Sequence, residues 1–453
     1  MTSAPIRASA VLLCAVFSLC LYRAATQSLT IDEAFTFLHY VDTPWRDVFG
    51  EYSANNHVLF SLVSRVFRHK FGQSEIVLRI PALIGCLLFL LASFRISRAA
   101  VGEGWLLPLT LAVLTLNPLV LDFMAAARGY GLGLGLFWWA LYLVWRERLW
   151  VAGVLAGLSI AANLIYVIPL AALGAAAIPL YVRRRRFWDL IYSYALAAIL
   201  VAFTILVIPV SKGAGQFYYG ASSLADTVSS LVNDSLPADS ILIARVVAPA
   251  AFFIAMPLGA WLLWRHNSPQ SELLAIVLTI IGFAVLCWVT MHRLLGFVYP
   301  LNRTAIYMLP LVGLAVALGG ALTPKRWVSI PLIALAAVLA TLYIAQIRTG
   351  YFKEWRDQAG MNRLMRHLKD DAAGLARARQ ITAGGTWNLE YSMRYYGKRH
   401  RIPWLKVLDA TERETVRPDY YILTRDEAKK AHELNLKVID TDVLSGTILA
   451  RSY

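Results

Sequence analysis

Charge is scarce in this sequence: Asp, Glu, Lys and Arg make up 16% of 453 residues, while 58% are hydrophobic. A soluble globular domain carries about 25% charged and about 45–50% apolar residues. So much apolar surface cannot enter one water-soluble core of this length, which excludes a chain dissolved wholly in water. Cysteine is scarce too. Cys14, Cys20, Cys86 and Cys287 each lie in an apolar stretch and no CxxC spacing occurs, which argues against a disulfide framework and a thiolate zinc site. Internal repeats and low-complexity linkers are absent. Acidic residues number 28 against 43 basic ones, a net charge of +15. In a soluble protein that excess would point to nucleic acid. Here much of it sits in short clusters between apolar runs, as positive-inside topology requires, and no nucleic-acid partner is expected.

A spanning helix needs about 20 apolar residues. About eleven candidates are present, at roughly 8–26, 76–95, 104–121, 127–145, 149–163, 166–182, 189–210, 243–264, 272–291, 303–321 and 328–347. Arg7 before a short apolar core also suits a signal peptide, but no small-residue cleavage site follows and Arg23 is awkward there, so a retained helix is expected. Basic clusters recur in alternate loops: Arg95 and Arg98, Arg146 and Arg148, Arg183 to Arg186, Arg265 with His266, Lys325 with Arg326. With the N-terminus and Arg7 cytoplasmic, eleven crossings put every cluster on the cytoplasmic side of an inner membrane. The loop 27–75, the turn near Asp122, the segment 211–242, the turn 292–302 and the tail then share the opposite side.

The tail is mixed and polar from about residue 348 onward. A helix is expected over 357–378, with short strands at Gln380–Ala383, Tyr420–Thr424, Lys437–Asp440 and Thr447–Ala450. The expected architecture is a polytopic α-helical membrane protein over 1–347, with the first outer loop 27–75 carrying the active site, followed by a small extracytoplasmic α/β domain over 348–453.

The first outer loop is the most informative. It opens Leu29-Thr30-Ile31-Asp32-Glu33-Ala34-Phe35, continues from Trp45 to Tyr52, and reaches Asn55-Asn56-His57 before an amphipathic run to Lys70. Phe60, Val63 and Phe67 against Arg65, Arg68 and Lys70 predict a helix lying in the membrane interface. Asp32-Glu33 suits a general base that takes the proton of an attacking hydroxyl. Thr30-x-x-Glu33 is equally a capping-box pattern, with Asp32 favouring the positive helix end. Asn56 and His57 offer hydrogen bonds to sugar or phosphate oxygens, or plain turn chemistry. Asp122 and Arg128 either pair with each other or divide the work, Arg128 meeting a phosphate and Asp122 orienting a hydroxyl. Gly129, Gly131, Gly133 and Gly135 follow no strand, so close helix packing explains them better than a nucleotide loop. Arg79 and Arg303, each at a membrane edge, either snorkel to lipid phosphates or neutralise a leaving phosphate. These polar groups come from distant parts of the chain, yet the topology assigns all of them to one face.

With these residues in view, the chain resembles the integral-membrane glycosyltransferases of the GT-C class, especially the bacterial group related to protein O-mannosyltransferases and lipid A aminoarabinose transferases. The resemblance rests on Thr30-Ile31-Asp32-Glu33-Ala34 after the first helix, Asn55-Asn56-His57 before an amphipathic helix, Ala126-Ala127-Arg128-Gly129-Tyr130-Gly131-Leu132, and Arg303-Thr304-Ala305-Ile306-Tyr307. It covers roughly residues 10–345. It implies a polyprenyl-phosphate-linked sugar as donor, Asp32 as base, and Arg128 and Arg303 around the donor phosphate. Glu33 and Asp122 stand as further catalytic candidates; Asn56, His57, Arg79 and Tyr130 stand as substrate-binding ones. Many relatives carry a glutamate two residues before the arginine that matches Arg128, where this chain has Ala126. Transfer to an acceptor hydroxyl at the outer face, with inversion, is the implied reaction, and a cell-envelope glycan, lipid or protein the implied acceptor. No cofactor is indicated, and no ligand cluster for a divalent metal is evident.

The rival reading is a transporter or flippase of a lipid-linked saccharide, which would favour inverted repeats and helices broken at mid-membrane. Acceptor choice is expected from the 211–242 segment with Tyr218-Tyr219, or from the tail, where Trp387, Tyr391, Tyr395 and Tyr396 either stack on sugars or form the small domain's own core.

Overall fold

The computed structural model describes residues 3–50, 53–212, 219–237, 257–258, 261, 268–323, 325–377 and 379–453. Its chain divides into a first unit of 1–21, 49–60 and 81–347, and a second of 22–48, 61–80 and 348–453.

Among the described residues, six helices are long and apolar enough to cross a membrane: Ala4–Thr26 (α1), Glu75–Val101, Leu164–Arg183, Phe187–Lys212, Pro269–Leu295 and Arg326–Ala345. Three shorter apolar helices join them, Gly129–Trp145, Leu149–Ala162 and Met308–Leu322. The chain is a multi-pass α-helical membrane protein with a small sheet-containing tail. All but 257–258 and 261 of the expected span at 243–264 lies outside the described residues, as do the cluster Arg265-His266, Tyr52 and Tyr218.

One expected span is corrected. The stretch read as a single helix over 104–121 is two, Leu106–Thr115 and Pro118–Ala125, bent 65° apart. Pro118 cannot donate to the helix before it but is well placed at the first position of a new one. Asn117 caps that new helix, its Oδ1 accepting from the backbone N–H of Leu119 and Val120 at 3.0 and 3.3 Å. Asp122 is therefore not in a short turn; it is buried inside the second helix.

The glycine series does pack helices. A Cβ on Gly131 would stand 2.5 Å from the carbonyl oxygen of Phe123, and one on Gly135 would stand 3.0 Å from the Cβ of Leu88. Such approach suits a medium where association rests on close backbone packing rather than on the hydrophobic effect. Arg184 pairs with Glu147 at 3.4 Å and Glu272 at 2.7 Å, Arg186 pairs with Glu147 at 2.6 Å, and the Trp145 indole donates to the Pro269 carbonyl at 2.8 Å. These bonds gather the loops around 146, 185 and 269 at one end of the first unit. At the other end of Gly129–Trp145 lie the loops around 57, 128 and 303.

In the second unit, the short helix Ile31–Thr36 (α2) continues as a π-helical turn over Phe37–Val41. The helix Val58–Phe71 follows, and 61–71 of it belong to this unit. The tail carries a five-stranded mixed sheet: β1 Ile381–Gly385, β2 Leu405–Val407, β3 Tyr420–Leu423, β4 Lys437–Thr441 and β5 Ile448–Arg451, in the order β2-β1-β3-β5-β4. β1 is parallel to β2 and β3, and β5 runs antiparallel to β3 and β4. Helix Met361–Ala372 buries Leu364, Met365 and Leu368 in the small core. The tail is tied to the 22–48 segment rather than folded by itself. Leu29 N–H donates to the Tyr396 hydroxyl at 2.8 Å, Ile31 N–H to Gln358 Oε1 at 2.6 Å, and the Ser28 hydroxyl to the Ala359 carbonyl at 2.7 Å. Tyr395 and Tyr396 are fully buried and belong to that core, whereas Trp387 is 70% exposed.

Candidate active site

In the first unit the site is built around His57. The chain turns at Asn55-Asn56, with Asn56 N–H donating to the Ser53 carbonyl at 2.8 Å, and delivers His57 to the start of Val58–Phe71. The ring is held where only a glycine opposite allows it. A Cβ on Gly129 would lie 2.8 Å from the His57 Cβ and collide with the Ala162 carbonyl oxygen. Tyr130 packs edge-on against the imidazole, centroids 5.2 Å apart, and rests on Phe123 at 4.8 Å. The Tyr166 hydroxyl donates to the Tyr130 carbonyl at 2.8 Å, fixing that turn from behind.

Arg128 sits in extended backbone just before helix Gly129–Trp145, 1% exposed. Its Nη2 donates to Asn55 Oδ1 at 2.8 Å and its Cζ lies 6.0 Å from the Tyr130 ring centroid. Arg303 occupies the 3₁₀ turn Asn302–Ala305, ahead of the helix it was expected to open, which starts at Met308. Its Cζ lies 4.8 Å over the Tyr219 ring. The same turn is pinned by Asn302 N–H donating to the Ser230 hydroxyl at 3.0 Å, while Ala221 and Tyr299 pair through their backbones.

His57 registers both arginines. Burial first, then the positive charges of Arg128 and Arg303, hold its imidazole well below the usual histidine range. It is therefore neutral near pH 7, with one nitrogen a donor and the other an acceptor. Neither ring nitrogen has a hydrogen-bond partner among the described residues, although the side chain is 3% exposed. Leaving buried polar groups unpaired costs about 1–3 kcal/mol each. Two guanidiniums and an unsatisfied neutral imidazole, at the N-terminal end of a 17-residue helix, make a region suited to an anion bearing hydroxyl groups.

Asn163 is the residue that sequence reading missed. It follows Ala162, whose carbonyl faces Gly129; its Oδ1 accepts from Ile165 N–H at 3.2 Å, and its Nδ2 has no partner among the described residues. The available signal was a lone amide closing the expected span 149–163. Tyr219 was placed with acceptor selection, but it lies under Arg303. Asp122 is 4% exposed in its helix, and Asn56 is fully buried.

In the second unit, α2 begins with the expected capping box: Glu33 N–H donates to Thr30 Oγ1 at 3.3 Å and Thr30 N–H to Glu33 Oε2 at 2.8 Å. Glu33 does more than cap. Arg79 donates from Nε to Oε1 and from Nη2 to Oε2, each at 2.8 Å, with both side chains fully buried. The remaining Arg79 donors go to the carbonyls of Ala24, Gln27 and Ser28 at 3.2, 2.6 and 2.9 Å. All five N–H groups of Arg79 are thus used inside the fold, so the geometry favours a structural role for Glu33 and Arg79 over base and phosphate ligand. Asp32, on the first turn of the same helix, is half-buried. Phe35 stacks on His39 at 4.0 Å and meets Tyr391 edge-on at 5.0 Å. No group of three His, Cys, Asp or Glu side chains suited to a metal ion occurs among the described residues.

Residues 22–179 match the family described as alpha-(1->6)-mannopyranosyltransferase, N-terminal domain. A crystal structure of ArnT from Cupriavidus metallidurans bound to undecaprenyl phosphate aligns with a TM-score of 0.50 at 13% identity, covering 97% of both chains. The apo form of that ArnT aligns at 0.46 and 15% identity over 97% of both chains. Arabinosyltransferase EmbB from Mycobacterium smegmatis aligns at 0.37 and 15%, over 76% of this chain and 37% of its own. No curated protein matches.

Proposed function

We propose that this chain is a GT-C-class integral-membrane glycosyltransferase, a reading that the family match over residues 22–179 and the ArnT-like fold support, and that it transfers a sugar from a polyprenyl-phosphate donor to an acceptor hydroxyl at the outer face of the membrane, with inversion. The observation that carries this reading is the field at His57: the two charges acting on a buried imidazole are both guanidiniums. Such a region stabilises a phosphate. The undecaprenyl phosphate bound to the similarly folded ArnT is in keeping with that.

In this reading the acceptor oxygen attacks the anomeric carbon as the bond from that carbon to the phosphate oxygen breaks. The acceptor's proton passes to a carboxylate base, the role that the sequence resemblance gives to Asp32, and the leaving polyprenyl phosphate keeps the bonding electron pair. Arg128 and Arg303 balance its charge, as preorganised donors in a site shielded from water do most effectively. Neutral His57 and Asn163 supply hydrogen bonds to donor hydroxyl or phosphate oxygens. One base and one displacement give inversion. The basic loops gathered at one end of the first unit favour the cytoplasmic side for that end, and hence the outer face for His57, Arg128 and Arg303.

The test is transfer from radiolabelled polyprenyl-phosphate mannose, the sugar that the matching family's description suggests first, in membranes holding wild type or Asp32→Asn. Label in a glycoconjugate with wild type, lost in the folded variant, supports the reading. A product of retained configuration rejects the single displacement. Movement of lipid-linked sugar across the membrane without any product would replace the transferase by a transporter.

A further inference from the structure

A groove of about 730 Å³ opens in the second unit, beside helix Glu390–Arg399 and β2. Its walls carry Arg394, Lys398, Arg401 and Lys406 against two carboxylates, Asp409 and Glu412. Ile402, Pro403 and Leu405 supply apolar lining between them. The volume lies within the range of small-molecule sites, about 300–1,000 Å³.

Part of the positive charge has an ordinary explanation. Cations in the last turn of a helix complement its dipole, which covers Lys398. Arg394 pairs with Glu390 at 2.9 Å, Lys406 with Glu412 at 2.6 Å, and Lys398 shares Asp42 with Arg68. The two acidic wall residues are turned to their own backbone: Asp409 N–H donates to Glu412 Oε2 at 3.1 Å and Glu412 N–H to Asp409 Oδ1 at 2.8 Å.

Arg401 has no such explanation. It lies beyond the helix, in left-handed backbone at φ 54°, exposed, and with no ion pair among the described residues. That conformation is costly for a residue with a Cβ. Burial, then the charge of Arg68, holds the Lys398 ammonium below its usual range.

We propose that this groove binds a phosphate ester carried on a polyol, the phosphate between Arg401 and Lys398 and the polyol against Ile402, Pro403 and Leu405. The chemistry is shared by a soluble sugar phosphate and a phospholipid headgroup. The site stands apart from the transfer reaction, and its presence does not depend on that assignment.

The test is calorimetric titration of the full chain in neutral detergent with glucose 1-phosphate and glycerol 3-phosphate, with glucose and glycerol as uncharged controls. Binding of a phosphate probe and not of its control, weakened about tenfold or more in Arg401→Glu, is expected. Arg401→Gln is the second variant, and an unchanged melting temperature shows that either is folded. Repeating the titration in nanodiscs of phosphatidylglycerol and of phosphatidylcholine separates the sources. Loss of probe binding in phosphatidylglycerol alone identifies a lipid headgroup, and equal binding in both identifies a soluble sugar phosphate. Failure of both phosphate probes in detergent, or affinities in both variants within twofold of wild type, overturns the proposal.

Discussion

Arg128 reaches back across 73 residues of sequence to donate from Nη2 to Oδ1 of Asn55 at 2.8 Å. The amide orients the guanidinium through one of its N–H groups. Arg128→Lys keeps the charge but loses the planar fork. Transfer from a polyprenyl-phosphate donor is expected to fall about 10- to 100-fold in kcat/KM, with a similar loss for Arg303→Lys. Steady-state kinetics at varied donor concentration check this, and unaltered kinetics in both variants would remove the phosphate role.

Asp32 and Glu33 are neighbours with separable effects. Asp32→Asn is expected to abolish transfer while leaving yield and melting temperature near wild type. Glu33→Ala breaks a buried, bidentate pair with Arg79, which typically costs about 3–5 kcal/mol. Loss of folded protein on size-exclusion chromatography is its expected phenotype. The opposite pattern would make Glu33 the base and Asp32 the structural residue.

Gly129 tests the seat of His57. Gly129→Ala forces a methyl against the Ala162 carbonyl and the His57 Cβ, a strain of about 1–3 kcal/mol or more. Transfer is expected to drop at least tenfold even where the variant still purifies. Wild-type activity would show that His57 need not sit where it does.

The pH dependence follows from the neutral imidazole. His57 has a folded-state pKa well below that of the unfolded chain, about 6.5. Between those two values the unfolded chain holds more protons, so stability rises with pH there and is lost as pH falls below about 6.5. One such group contributes up to about 1.4 kcal/mol per pH unit. Melting temperatures of wild type and His57→Gln are expected to diverge least at pH 5 and most at pH 7.5. A constant difference across that range would mean that His57 titrates normally.

Much of this protein is written along the chain. Among the described residues, six helices long and apolar enough to cross a bilayer lie where apolar runs were expected, because lipid demands continuous hydrophobicity from each helix by itself. Thr30 and Glu33 announced their own capping box, a local motif four residues long. Four of the tail's strands start within a residue of where β propensity put them; β2, only Leu405–Val407, was too short to leave a signal. The break at Asn117-Pro118 was legible in principle and was overridden by the apolar character of its flanks.

What the sequence could not decide is which groups surround each charge. Arg79, Arg128 and Arg303 look alike along the chain, each an arginine near a membrane edge. The fold alone surrounds Arg79 with a carboxylate and three carbonyls, sets Arg128 against an amide, and lays Arg303 over an aromatic ring. Likewise, Gly129 and Ala162 are unremarkable until packing puts them around His57. Hydropathy and capping act over a few residues and are local properties; desolvation and pairing depend on neighbours that only tertiary contact supplies.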